Sequence, residues 1–254
     1  MKISIITVCW NSEKYLKTAI ESVLNQTYKN IEYIIIDGGS SDKTLDIIKN
    51  YEPLFKGRMK WVSEKDNGIY DAMNKGINLT SGDIIGLLNS DDFYISNNAL
   101  EKISNAFIRE NVDSVYADLY YVKETDTDKI LRRWITGKKR PFTSGWHPAH
   151  PTFFVKKEIY SKFGNFNVYY KIAADFEIML RFLEKYSVST YYIKEFLIKM
   201  RLGGKSNENF KNIKKGKNEI MQAFKSNNIS VPFYYPYKRW MFKIFQYLLK
   251  KNIY

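Results

Sequence analysis

The chain has 254 residues, 44% of them hydrophobic and 16% aromatic, with a formal net charge of +13. That much apolar surface can bury a core, so a folded chain rather than a disordered one is expected, and a single cysteine, Cys9, rules out an intrachain disulfide framework. The positive charge would suit nucleic acid, a membrane surface or a polyanionic small ligand, but it is concentrated from Lys199 onward while Asp91, Asp92, Asp113, Asp118, Asp126 and Asp128 crowd the middle, so no nucleic-acid partner is expected.

Ile3–Val8 is a continuous apolar, β-branched run, the pattern of a strand buried on both faces. It lacks the basic start and cleavage site of a signal peptide, and no stretch reaches the roughly 18 apolar residues of a spanning helix. The expectation is therefore a cytoplasmic protein, soluble or peripheral at the inner face of the plasma membrane. Asn11 or Ser12 can cap a following helix whose Tyr15, Leu16, Ala19, Ile20, Val23 and Leu24 recur at helical spacing. Glu32–Ile36 reads as a second strand, and Gly38-Gly39-Ser40-Ser41 turns into a helix carrying Leu45, Ile48 and Tyr51. A third strand is expected at Lys60–Ser63, then a helix with Ile69, Ala72, Met73, Gly76 and Ile77 on one face. Ile84–Leu88 is the fourth strand, ending at Asn89-Ser90-Asp91-Asp92.

Strands alternating with helices imply right-handed βαβ units and a parallel sheet covered by helices. Ligands in such sheets bind outside the carboxyl ends of the strands. Cys9-Trp10-Asn11, Asp37, Glu64-Lys65-Asp66 and Asp91-Asp92 all fall at that edge, so four segments distant in sequence converge on one crevice. Beyond residue 110 the alternation changes. Val112–Tyr121 and Lys129–Trp134 read as a hairpin around 125–128, residues 141–151 as a loop, and Thr152–Val155 as a short strand. Ala174–Lys185 reads as a helix with Phe176, Met179, Leu180 and Leu183 inward, and Thr190–Ile193 and Phe196–Met200 as two further strands.

Two adjacent carboxylates at a strand end, Asp91 and Asp92, repel one another, and a hard divalent cation such as Mn²⁺ or Mg²⁺ relieves that conflict while taking up phosphate oxygens. The alternative is a solvated acidic turn capping the helix near Asn97. Asp37 suits a base or a ribose, or caps the next helix. The segment after the first strand has no G-x-G-x-x-G and the chain has no P-loop, which disfavours a dinucleotide site. His147 and His150 flank Pro148, a poor presentation for zinc.

Eight motifs, Ile5–Asn11, Ser22–Tyr28, Ile36–Thr44, Gly68–Gly76, Leu88–Asp92, His150–Val155, Ile172–Glu177 and Met200–Ser206, occur in an order that resembles family 2 glycosyltransferases over about residues 1–207. The resemblance implies a GT-A fold: α/β, with a Rossmann-like, mostly parallel sheet flanked by helices, a smaller acceptor-side subregion and a C-terminal helical tail. It implies a nucleotide-sugar-binding half at 1–110, an acceptor-binding and catalytic half at 111–207, and a basic amphipathic tail at 208–254. The activity implied is inverting transfer from a nucleoside-diphosphate sugar, UDP-linked, to a saccharide acceptor in surface-polysaccharide synthesis, the acceptor being lipid-linked, for instance to undecaprenyl.

By that likeness Cys9, Trp10, Asn11 and Asp37 would contact the nucleotide, with Asp66 nearby. Asp91 would face ribose or metal, and Asp92 metal and diphosphate. Asn89 stands where the family usually has a first aspartate, which leaves two carboxylates rather than three. Inversion needs a base for the acceptor hydroxyl. Asp175 matches the family's base, at a helix start that favours the ionised form, or it is only a cap. Glu177, its rival, projects about 200° away on a helix. His150 would serve the acceptor or diphosphate side, or only the loop. Arg201 and Lys205 could neutralise the leaving diphosphate, or be surface charges. Pro232–Tyr254 combines aromatic and basic residues, suited either to an anionic membrane interface or to docking on the domain. A catalytically inactive nucleotide-sugar or polyanion binding module is the competing reading.

Overall fold

The computed structural model describes residues 1–202, 210–236 and 238–239. The β-branched runs form β1 (Ile3–Cys9), β2 (Ile31–Asp37), β3 (Met59–Ser63) and β4 (Ile84–Leu87). These pair in parallel in the order β3-β2-β1-β4. Helices α1 (Leu16–Leu24), α2 (Thr44–Tyr51) and α3 (Ile69–Leu79) connect them. Successive side chains of a strand point to opposite faces, and β1 divides accordingly. Ile3, Ile5 and Cys9 pack with Leu16, Ala19, Ile20 and Val23 of α1, while Ile6 and Val8 pack with Tyr70, Ala72, Met73 and Ile77 of α3. Each of the Val, Leu, Ile and Met side chains among them, once fully buried, contributes about 1.5–3 kcal/mol. Close packing needs Gly76, since a Cβ there would stand 2.4 Å from Cγ2 of Ile6.

Register brings the strand ends together. Cys9 lies opposite Asp37, and Asp37 opposite Ser63, so the crevice edge is level across three strands. The second half adds β5 (Phe93–Tyr94), α4 (Ala99–Glu110), β6 (Ser114–Lys123), β7 (Asp126–Trp134), β8 (Phe154–Lys156), α5 (Lys157–Phe163), α6 (Ala174–Leu180), β9 (Thr190–Arg201) and α7 (Phe210–Ser226). The sheet continues β4-β8-β6-β9-β5, with β7 paired to β6. Strand β8 is antiparallel to both β4 and β6, and β9 runs parallel to β6. Phe93 and Tyr94 pair with Lys199 and Ile198, which ties the turn at 89–92 to the far edge of the sheet.

Several expectations need correction. Asn11 and Ser12 do not cap α1 with their side chains; the Ser12 carbonyl accepts from Tyr15 and Leu16 while both side chains face the crevice loops. Ile69 is 47% exposed and Tyr70 fills the core in its place. The hairpin turns at 124–125, since Asp126 already pairs with Lys123. The two strands expected at 190–200 are one, kept continuous by register shifts opposite Asp118. The helix expected over 174–185 leaves α geometry after Leu180 and becomes a π-turn over Arg181–Lys185. Asp91 and Asp92 do not cap α4, because β5 intervenes and Asn98 precedes its first turn.

Neither α5 nor α7 was legible from periodicity. Helix α7 opens the segment expected as a tail, and its Ile220, Ala223 and Phe224, with Tyr235, lie in the same core as α3 and α6. The remainder, 240–254, lies outside the described residues, as does Lys205. No helix among the described residues is long and apolar enough to cross a membrane.

Candidate active site

The base-side wall is built on Asp37. Its carboxylate is fully buried and accepts bonds from the backbone N–H of Gly39 (3.1 Å) and Ser40 (3.0 Å), from Ser63 Oγ (2.6 Å) and from Ser40 Oγ. The Cys9 thiol lies 3.7 Å from it and is pushed up, first by burial and then by that carboxylate. Through these bonds Asp37 shapes the loop Gly38–Ser41 that borders the crevice. Asn11 joins in, with φ at 48°, accepting from the Ser41 N–H at 2.9 Å.

Trp10 and Asp66 face one another across Gly38. Trp10 is 59% exposed, and a Cβ on Gly38 would meet Asp66 Oδ2 at 2.6 Å and Trp10 Cδ1 at 3.5 Å. Glycine at this position therefore lets the Asp66 carboxylate and the Trp10 indole close over the backbone. Asp66 is braced through Oδ1 by the Gly68 N–H at 2.8 Å.

Across the crevice, Asp92 is fully buried, accepts from Asn89 Nδ2 at 2.9 Å through Oδ2, and leaves Oδ1 without any hydrogen-bond partner. Burial, and then the neighbouring Asp91 charge, push its pKa well above the usual carboxylate range. Asp91 is raised by burial, with Arg201 opposing. An orphaned buried carboxylate oxygen beside a second carboxylate costs free energy, and a divalent cation removes that cost. Among the described residues no group of three His, Cys, Asp or Glu could hold a metal alone. The pair fits a cation that takes its other ligands from a diphosphate and water, as Mg²⁺ commonly does.

Arg201 is not the surface charge that was one of its two readings. It is 6% exposed, its Nη1 donates to the Asp91 carbonyl, and its guanidinium lies 4.9 Å from the ring centroids of both Tyr15 and Phe93. It braces the acidic turn from behind instead of lining open solvent. Glu124 at the β6–β7 turn accepts from Lys14 Nζ at 2.7 Å and from the Tyr15 hydroxyl, closing the hairpin over the same corner.

Asp175, half-buried near the start of α6, accepts from the Phe176 N–H at 2.8 Å and lies 3.3 Å from the Tyr70 hydroxyl. His150 is held below the ordinary imidazole value by burial, with Asp175 opposing, so the two groups sense each other. His150 packs edge-on against Phe166, which stacks on Tyr70. Glu177 is buried, paired bidentately with Arg181 (2.9 and 3.1 Å) and bonded by Asn227 at 3.1 Å. It is consumed by scaffold contacts. Sequence reasoning missed Tyr70, Ser40 and Ser63; Tyr70 lay one position off the expected helix face, and the serines carried no signal of their own.

The chain matches the family profile "Glycosyl transferase family 2" over residues 4–182. It is 29% identical over 199 residues to a PGL/p-HBAD biosynthesis glycosyltransferase of Mycobacterium bovis, covering 75% of this chain and 73% of that relative. Its fold is similar to that of S. aureus TarS 1-349 in complex with UDP-GlcNAc, with TM-score 0.67 and 16% identity over 94% of this chain and 69% of that one. The chain spans 43% of the longer S. aureus TarS chain. It is also similar to the mannosyltransferase PcManGT from Pyrobaculum calidifontis in complex with GDP-Man and Mn²⁺, with TM-score 0.67 and 12% identity over 99% and 76% of the two chains. The four strand ends, the acidic turn and the helix bearing Asp175 thus belong to a GT-A fold, and the chain is a glycosyltransferase of family 2.

Proposed function

We propose that this glycosyltransferase transfers a sugar with inversion from a uridine-diphosphate sugar to the hydroxyl of a saccharide acceptor in cell-surface polysaccharide synthesis. The observation that carries the reading is the buried, partnerless Oδ1 of Asp92 beside Asp91. Those two carboxylates would hold Mn²⁺ or Mg²⁺, which supplies charge neutralisation for the departing diphosphate. Mn²⁺ accompanies the nucleotide sugar in PcManGT. Trp10 and Asp66, which meet over Gly38, receive the base; the Asp66 carboxylate accepts from a ring N–H, which uracil offers at N3. UDP-GlcNAc in TarS makes a uridine donor the first choice, and GDP-Man in PcManGT makes guanosine the second.

On the acceptor side Asp175 takes the proton of the attacking hydroxyl. The new bond forms between that oxygen and the anomeric carbon while the bond from carbon to phosphate oxygen breaks, and its electron pair leaves with the diphosphate. Asp175 is within hydrogen-bond reach of Tyr70, and His150, whose pKa burial lowers, lies near enough for the Asp175 charge to oppose that shift. A lipid-linked acceptor and a peripheral membrane contact are supported by the +13 net charge, by exposed Lys214, Lys215, Lys217 and Lys225 on α7, and by Phe233, which is 90% exposed.

A donor panel with Mn²⁺ or Mg²⁺, reading released nucleoside diphosphate, tests the proposal. Metal-dependent release from a uridine donor is expected, and Asp175→Asn should abolish transfer while donor affinity is kept. Metal-independent release, or full activity in D175N, contradicts it. No release from any donor would favour a binding module.

A further inference from the structure

Helix α7 lies beyond the 4–182 family match, yet it is wired to the segment that presents Asp175. Glu219 is 6% exposed and faces no basic side chain in the bonds it makes. Its Oε1 accepts from the Lys171 N–H at 3.0 Å, and its Oε2 from the N–H groups of Ile172 and Ala173 at 2.8 and 2.9 Å. These are three consecutive amides immediately before α6. From the opposite side, the Tyr70 hydroxyl donates to the Ile172 carbonyl at 2.9 Å. A phenol has one proton, so the nearer carbonyl takes it and the contact to Asp175 at 3.3 Å is secondary. The segment 171–173 is therefore gripped on its N–H side by one carboxylate and on its carbonyl side by one phenol.

The approach of α7 is close by design of the chain. Gly216, one turn before Glu219, lies where a Cβ would stand 3.2 Å from Ile172 Cγ2. Farther along, Phe224 packs edge-on against Phe176 at 5.5 Å between ring centroids, and Asn227 bonds Glu177. Burying a carboxylate is costly unless several donors converge on it, and here all the donors shown belong to one three-residue segment. That concentration exceeds what anchoring α7 needs, since the apolar contacts of Ile220, Ala223 and Phe224 already bury it.

We propose that Glu219 is a positioning residue for the transfer reaction, holding segment 171–173 so that Asp175 is aimed at the acceptor hydroxyl. This rests on the reading of Asp175 as the base. A base misplaced by about 1 Å loses roughly 100-fold in rate, while the donor site, built on the other half of the crevice, is untouched. The effect belongs in kcat and not in the donor KM.

The test uses the full chain as wild type, E219Q, Y70F and D175N. Turnover of UDP-N-acetylglucosamine with Mn²⁺, water serving as acceptor, should fall about 10- to 100-fold in kcat for E219Q, with donor KM within about twofold of wild type. Y70F, which removes the other grip and leaves no buried charge unbalanced, should show a smaller loss of the same kind. Backbone hydrogen exchange over 171–175 should accelerate in folded E219Q while β1–β4 stay protected. Wild-type kcat in both E219Q and Y70F, or unchanged exchange over 171–175, overturns the inference. Should D175N keep wild-type turnover, the base assignment fails instead, and the exchange result still decides whether Glu219 holds the segment.

Discussion

Asp92, in the turn after β4, and Glu32, in β2, are both buried carboxylates, and they are treated in opposite ways. Glu32 accepts from Ser4 Oγ at 2.5 Å, Ser81 Oγ at 2.7 Å, the Gly82 N–H at 3.0 Å and Lys2 Nζ at 3.2 Å, and despite the cost of burial its pKa is lowered to about 2. Asp92 has one side-chain donor, Asn89, one orphaned oxygen and a like charge next door, and its pKa is driven up. The first sits at the amino end of the strands and closes the scaffold. The second sits at the carboxyl end, where the proposed metal would satisfy it. Satisfaction of charge, more than its mere presence, separates Glu32 from the proposed metal-holding acid Asp92.

Neutralising each acid sharpens that contrast. Asp92→Asn should lower metal-dependent turnover by at least about 100-fold, and yet raise the melting temperature of the metal-free protein, because a frustrated charge has gone. A lower melting temperature in D92N would break the comparison.

Glu32→Gln should do the reverse, leaving turnover per folded molecule unchanged and lowering stability at pH 7 by about 2–3 kcal/mol in denaturant titrations. The folded pKa of about 2 lies below the unfolded value of about 4.5. Its contribution is thus complete above pH ~4.5 and lost as pH falls toward 2. The stability difference between wild type and E32Q should therefore shrink over that window; a difference that stays constant down to pH 2 would contradict the assignment.

The smallest effect concerns Gly38. Gly38→Ala places a methyl 2.6 Å from Asp66 Oδ2, and donor affinity by calorimetry should weaken about tenfold with little change in melting temperature. Unchanged affinity would move the base elsewhere.

The donor half was legible in the chain because its strands are unbroken apolar runs and its ligand-facing residues sit at their ends, where βαβ geometry must collect them. Asp37 shows the limit of that reasoning. Its position at a strand end was correct, but whether a carboxylate faces out or is captured by Ser40 and Ser63 depends on loop turns with no periodic signal. Arg201 shows a related limit: only the pairing of β5 with β9 places it behind Asp91. The base side was less legible, since Asp175 is positioned by α7, a helix whose register against 171–173 depends on contacts about 47 residues apart.

The most direct measurement is calorimetric titration of UDP into the metal-free protein, into protein with Mn²⁺, and into D92N with Mn²⁺. Tight binding only to the wild type with Mn²⁺ is the predicted result. Equal affinity in all three would contradict the claim that the unsatisfied pair Asp91–Asp92 is the diphosphate grip.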